Sequence, residues 1–153
     1  MSDYIDIIEH AKSIMKMAHN GQFDKGGKDY YLHPLRVAQE AKRLLHTEYD
    51  KFIGECVALL HDVIEDSNFT ADDLVNEKFE LDIVSRVVCM TRHDGESYMN
   101  YIKRIGEDNI CRIIKMCDLK DNMDITRLDK IKDEDLDRIK KYHKAYKYLQ
   151  NLY

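Results

Sequence analysis

The sequence predicts an all-α protein, and three observations carry that expectation. Apolar residues recur at spacings of three and four along nearly the whole chain, which is the helical period. Breakers are scarce, with one proline and six glycines in 153 residues. No segment shows the apolar–polar alternation of a half-buried strand. With 44% hydrophobic and 35% charged residues the composition is that of a globular chain, and the length fits a single domain over residues 1–153 with a real core.

The elements follow in order. A first helix over 3–19 carries Ile5, Ile8, Ala11, Ile14, Met15 and Ala18 on one side. The stretch NGQFDKGGKDYYLHP is the Gly-rich loop. It ends at a proline suited to a first helical position, so a second helix is expected from Pro34 to about Leu45. A third is expected from about Tyr49 to Asp66. In NFTADDL, Thr70 is placed to cap and Asp73 to return the bond, opening two helices across 71–92. DGESYMNYIKRI opens a further helix capped by Ser97 or Asp94, and 107–124 and 133–152 complete the set.

Charge and cysteine usage bound the function. A formal net charge of -5 argues against nucleic acid as the main partner, because phosphate backbones select basic surfaces. No apolar run approaches the ~18–20 residues of a membrane span. The start, MSDYIDIIEHAK, has neither the basic nor the apolar region of a signal peptide. Cys56, Cys89, Cys111 and Cys117 sit in apolar helical segments without a CxxC pair, which reads as reduced, buried thiols. A cytoplasmic protein is expected. The sequence carries no signal for oligomeric state.

The chemistry concentrates in ALLHDVIEDSNFT, where His61, Asp62, Glu65 and Asp66 crowd the end of a helix. Acids there oppose the helix dipole by ~0.3–1 kcal/mol each, and a cation would compensate. On a continuous helix His61 and Glu65 stack at a spacing of four, as do Asp62 and Asp66. Taken alone, HDVIED could be a solvated helix end. Two distant segments weigh against that reading. His33 stands just before Pro34, and Asp118 and Asn122, four apart, lie on a helix packed through Ile110, Ile113, Ile114 and Cys117. Asp118 borders that apolar stripe, a costly place for an unpaired charge. His33, His61, Asp62 and Asp118 together offer two imidazoles and two carboxylates. That set suits Mn²⁺ or Fe²⁺, with Zn²⁺ and Mg²⁺ less favoured by ligand type.

The order of these segments resembles the HD phosphohydrolase superfamily. AHNGQFDKGGKDYYLHPLRVA, ALLHDVIEDSNFT and IIKMCDLKDNM are similar, in sequence order, to the motifs of RelA/SpoT-type (p)ppGpp hydrolase domains, most of all to small stand-alone ones. The resemblance covers most of residues 1–150. It implies an HD-domain helical bundle binding Mn²⁺ through His33, His61, Asp62 and Asp118. The implied reaction removes the 3′-pyrophosphate from ppGpp or pppGpp. Glu65 and Asp66 would position and deprotonate water, Glu65 being the preferred general base, and Asn122 would meet the nucleotide sugar.

One departure stands out. Where the family carries an Arg-Lys pair, whose Arg packs on guanine, this chain has Asp24-Lys25. A carboxylate cannot supply that stacking, so another phosphorylated nucleotide, such as NADPH or a deoxynucleotide, is the alternative substrate. A non-catalytic nucleotide sensor is the alternative from a different class. Lys25 could still meet a phosphate; Arg92 reads as a phosphate contact or a solvated arginine; and Arg138 and Tyr142 fall where relatives place nucleotide contacts, Tyr142 either stacking on the nucleotide or packing its helix. The basic C-terminal KKYHKAYKYLQNLY reads as a closing helix with snorkelling lysines, not as a membrane anchor.

Overall fold

The computed structural model describes residues 2–152. The described residues contain no strand, only an isolated antiparallel bridge between Phe23 and Asp29. The helices are α1 (Ser2–Ala18), α2 (Leu32–Leu44), α3 (Glu48–Leu60), α4 (Val63–Asp66), α5 (Ala71–Asn76), α6 (Leu81–Met90), α7 (Tyr98–Gly106), α8 (Asn109–Asn122) and α9 (Asp133–Gln150). A short 3₁₀ turn, Ile125–Arg127, joins the last two.

Side-chain oxygens start several of these helices. Thr47 accepts from the Asp50 N–H, Ser97 from Asn100 and Asp108 from Cys111. Thr70 and Asp73 form the expected reciprocal capping box. Each cap satisfies backbone donors otherwise left open, a contribution of about 1 kcal/mol. Of the two caps expected for α7, Ser97 is the one used.

α3 is the central helix, lying against α1, α2, α6 and α8. Its residues 52–60 are buried except Glu55, which follows from a sequence apolar on every side. Ile53, Leu59 and Leu60 are fully enclosed, and burying each stabilises the fold by roughly 1.5–3 kcal/mol. Gly54 is part of this packing: a Cβ there would meet Leu45 Cδ1 at 2.2 Å. The four cysteines are free, three of them buried and Cys89 partly so. No helix among the described residues is long and apolar enough to cross a membrane.

Two expected boundaries differ. The helix expected over 49–66 breaks after Leu60, and His61 and Asp62 form the joint before α4. His61 Nδ1 lies 2.6 Å from the Ala58 carbonyl oxygen, so its ring serves an acceptor that continued helix would have served with backbone N–H. The wheel of a continuous helix therefore does not describe where His61 and Asp62 point. α2 begins at Leu32, one turn's start earlier than expected, so His33 is buried in its first turn and not free on a loop. Pro34 follows at the third helical position, where its missing N–H still falls among the unpaired donors of the first turn.

Candidate metal centre and substrate groove

Three elements bring the donors together: the first turn of α2, the α3–α4 joint and the C-terminal half of α8. His33, His61 and Asp118 are all buried, and one ligand atom from each lies within 4.8 Å of the others. His33 Nε2 is 3.0 Å from Asp118 Oδ1, and His61 Nε2 is 3.7 Å from the same oxygen. Asp62 flanks this group, its Oδ2 being 3.1 Å from His61 Nε2 and 3.8 Å from His33 Nε2.

Hydrogen bonding fixes which imidazole nitrogen faces inward. His33 Nδ1 is held by Asp121 Oδ2 at 2.7 Å and His61 Nδ1 by the Ala58 carbonyl. The two Nε2 atoms are buried without a hydrogen-bond partner, although carboxylate oxygens are close. An Nδ1–H donated outward leaves the Nε2 lone pair for a cation, the arrangement usual in metal-ligating histidines. The donor set thus fits a divalent metal.

The carboxylates are also held from behind. Tyr30 Oη donates to Asp62 Oδ2 at 2.6 Å. Lys115 Nζ and Asn122 Nδ2 each donate to Asp118, both at 2.7 Å. Asp121 accepts from Arg36 Nε at 2.8 Å and Nη2 at 3.0 Å, and Arg127 Nη2 reaches its backbone oxygen at 2.6 Å.

The electrostatics favour positive charge at the centre. Burial opposes a charged His61, but the carboxylates of Asp62 and Asp118 override it and hold the ring's pKa well above the ordinary value. Burial likewise opposes a charged Asp118, and Lys115 with the two histidines overrides it in the other direction. Asp66 behaves differently: burial, then the charges of Asp62 and Glu65, push its carboxyl up to about 6.

Two cavities open beside the donors and share Tyr30, Asn122 and Tyr142 as walls. One, about 200 Å³, is lined by Phe23, Asp24, Lys25, Arg127 and Arg138 among others. The second, about 280 Å³, contains Glu65, Asp66, Arg92, Tyr98, Lys115 and Lys141. The substrate candidates thus divide, with Lys25 and Arg138 on the first side and Arg92 on the second. Glu65 ties α4 to the loop between α6 and α7 by accepting the Arg92 backbone N–H.

The loop before α2 is built by Asp24. Its Oδ1 accepts from the N–H groups of Gly26 and Lys28, both at 2.9 Å. Gln22 Nε2 donates to the Asp66 carbonyl at 2.7 Å, anchoring the loop to α4. A Cβ on Gly26 would lie 2.6 Å from the Arg127 carbonyl oxygen, so only glycine lets the loop approach the 3₁₀ turn.

Sequence reasoning missed Tyr30, Lys115 and Asp121. Lys115 and Asp121 sit three residues either side of Asp118, and helical spacing could have flagged both. Tyr30 reaches Asp62 across 32 residues of sequence and had no local signal.

No family model matches the chain. The chain is 31% identical over 121 residues to a guanosine-3′,5′-bis(diphosphate) 3′-pyrophosphohydrolase of Haemophilus influenzae, covering 72% of this chain and 17% of that protein. A protein of the same description from Borreliella burgdorferi is 30% identical over 142 residues, 86% of this chain and 20% of the relative. A GTP pyrophosphokinase of Myxococcus xanthus is 29% identical over 149 residues, covering 88% of this chain and 19% of that one. The chain therefore spans about a fifth of the length of these curated relatives. Among solved structures, a metazoan ortholog of SpoT described as hydrolysing ppGpp superposes with a TM-score of 0.71 at 19% identity, over 99% of this chain and 87% of the other.

Proposed function

Because the chain belongs to the RelA/SpoT-type HD hydrolase domains, we propose that it hydrolyses ppGpp or pppGpp to GDP or GTP and pyrophosphate. We assign Mn²⁺ as the metal, held by His33, His61, Asp62 and Asp118. The observation that carries this reading is the pair of buried, unpartnered Nε2 atoms facing Asp62 and Asp118. Two nitrogens and two carboxylates favour Mn²⁺ over Zn²⁺ and Mg²⁺ by ligand type. A bound divalent cation would polarise phosphoryl oxygens and acidify a water.

The chain's own residues then have distinct tasks. Asp121 and the Ala58 carbonyl orient the two imidazoles, while Tyr30, Lys115 and Asn122 orient the two carboxylates. Water attacks the phosphorus bonded to the ribose 3′ oxygen, that P–O bond breaks, and the 3′ oxygen leaves on the nucleoside as a hydroxyl, its proton coming from solvent. Asp66, in place of the Glu65 preferred from the sequence, receives the water's proton in this reading, a role suited by its raised pKa of about 6. Glu65, engaged with the Arg92 N–H, positions the water and keeps the 91–97 loop in place. Lys25, Arg138 and Tyr142 line the nucleoside side, Asn122 stands between the two cavities, and Arg92 lies on the phosphate side. The small nucleotide is the partner in this reading, and the protein acts in the cytoplasm.

Asp24 favours a second reading, since an acidic residue lines the nucleoside cavity. The same chemistry would then act on NADPH or a deoxynucleotide. Product analysis separates the cases, with purified protein and its Asp62→Ala variant incubated with Mn²⁺ and ppGpp beside a nucleotide panel. GDP and pyrophosphate from the parent alone are expected. Intact ppGpp beside cleavage of another nucleotide would move the substrate, and no turnover on any would leave a nucleotide sensor.

A further inference from the structure

The loop between α1 and α2 grips the short helix that carries Glu65 and Asp66. That helix, α4, spans four residues, a single turn. One turn alone does not hold itself, because fixing its dihedrals outweighs the hydrogen bond it closes. Its position therefore depends on tethers from outside. At its N-cap, Asp62 accepts from Tyr30 Oη at 2.6 Å. At its other end stands the Asp66 carbonyl, in the last turn, where a helix leaves its carbonyls without backbone donors. It accepts from Gln22 Nε2 at 2.7 Å. The two tethers are joined, since the Tyr30 N–H donates to the Gln22 carbonyl at 2.9 Å. Burial of Val63 and the Glu65–Arg92 bond add to the hold.

Gln22 is itself fixed by a buried histidine. Its Nε2 faces two carbonyl oxygens, that of Asp66 and, at 3.3 Å, that of Ala18. Neither can donate, so the amide nitrogen must stand there and Oε1 must face the other way. Oε1 meets His19 Nδ1 at 2.8 Å, which places the imidazole proton on Nδ1. His19 is 1% exposed, and burial holds its pKa below the ordinary value, so the ring is neutral. Its Nε2 is buried without a hydrogen-bond partner. Packing alone would be served better by an apolar side chain, since burying a polar ring carries a desolvation cost. The bond to Gln22 is what the imidazole supplies.

We propose that His19 and Gln22 are positioning residues for the carboxylates of α4: His19 orients the Gln22 amide, and the amide fixes the end of the helix that bears Asp66. This rests on the phosphohydrolase reading and deepens it. Neither residue lines either cavity, so both act on the proton acceptor through its backbone. The same loop carries Asp24 and Lys25 into the nucleoside cavity, so one segment sets both a substrate wall and the place of the base. A misplacement of about 1 Å in a reacting group costs about 100-fold in rate, so loss of the tether should appear in kcat.

The test compares the Mn²⁺-loaded parent with Gln22→Met, His19→Leu, His19→Asn and the double variant of Gln22→Met with His19→Leu. Cleavage of ppGpp gives kcat and KM, and hydrogen–deuterium exchange follows the amides of residues 62–69. Gln22 is only half-buried and Met matches its length, so Gln22→Met keeps the fold, which circular dichroism melts check. It should lower kcat at least about ten-fold, with KM within about two-fold and metal stoichiometry unchanged. Exchange should quicken over 62–69 and not in α8. His19→Leu should do the same. His19→Asn keeps a donor near the place of Nδ1 and should recover kcat to within about three-fold of the parent. The double variant should be no slower than Gln22→Met alone, because the two residues act as one unit. Unchanged kcat in Gln22→Met, with or without faster exchange, overturns the positioning role. So do equal losses in the two His19 variants. A parent inert on ppGpp but active on another nucleotide sinks the alarmone reading alone, and the same comparison on that nucleotide decides the positioning role. A parent inert on every nucleotide sinks both.

Discussion

The candidate metal donors and the proposed nucleoside side of the groove are made by different means. The donors ride on α2, the α3–α4 joint and α8, and each is buttressed by a second side chain or a carbonyl. One wall of the nucleoside side is loop, residues 20–31 closed by Asp24 and laid against the 3₁₀ turn at Ile125–Arg127, while Asn122, Arg138 and Tyr142 supply helical walls. Helices set their side chains by packing, so the donors' positions follow from the core. Loops are set by a handful of cross-links, so the identity of a single residue there decides the shape. The difference teaches where this chain has room to vary: at Asp24 in the loop half, not at the candidate donors, which are fixed by helix packing.

The largest expected effect breaks the helical half. Asp118→Asn should abolish metal binding, measured by calorimetry, and reduce turnover to background. It also strands the buried Lys115 ammonium, whose partner oxygen is 2.7 Å away. Removing one member of a buried pair costs about 3–5 kcal/mol, so a clear fall in Tm is expected. Adding Lys115→Met should restore most of that stability without restoring metal. Unchanged metal affinity in Asp118→Asn would contradict the ligand assignment.

A smaller effect is expected one contact further out. Asp121→Asn weakens the acceptor that orients His33 and the carboxylate that binds Arg36. Such supporting groups change metal affinity by about 10–100-fold. A variant binding metal as tightly as the parent would mean that packing alone fixes the His33 ring.

The same contrast explains what the sequence revealed. Helical periodicity and capping signals exposed the all-α class, Thr70–Asp73 and Ser97. The candidate donors were legible because His61 and Asp62 share HD and the others stand beside strong local markers, Pro34 and the apolar stripe of α8; the structure brings His33, His61 and Asp118 together, with Asp62 flanking them. The break at His61 was not legible, since it depends on a side chain replacing a backbone donor to Ala58. Tyr30 and the Gln22–Asp66 contact join segments far apart in sequence, and no period connects them.

The carboxylates at the joint give a proton-linked check. In the metal-free protein, Asp66 should take up its proton with a midpoint near 6, because burial and then the Asp62 and Glu65 charges disfavour its ionised form. Asp62→Asn removes one of those charges, so the Asp66 midpoint should move down, toward the ordinary carboxylate range. Carbon-detected NMR titration reads this directly. A midpoint unmoved by Asp62→Asn would leave burial and the Glu65 charge as the causes. In sign, a carboxyl raised on folding makes the native state the stronger proton binder. It therefore weakens stability as pH rises from about 4 to 6, with the loss complete above the folded midpoint.

The finest distinction concerns Asp24, where the loop half can be altered without touching a metal donor. If its main task is to hold the Gly26 and Lys28 amides, Asp24→Asn should keep an acceptor in place and leave turnover within about two-fold. Asp24→Ala removes the acceptor and should cost about 1 kcal/mol in stability, with KM rising and kcat little changed, because the loop binds substrate without entering the chemistry. Asp24→Arg combines that loss with a cation suited to stacking on a base. Its KM for ppGpp relative to Asp24→Ala therefore isolates the stacking contribution. A lower KM in the Arg variant than in both parent and Ala would show that base stacking outweighs loop closure. Equal values for Arg and Ala would show that the loop of this chain presents residue 24 inward to its own backbone, whatever side chain stands there.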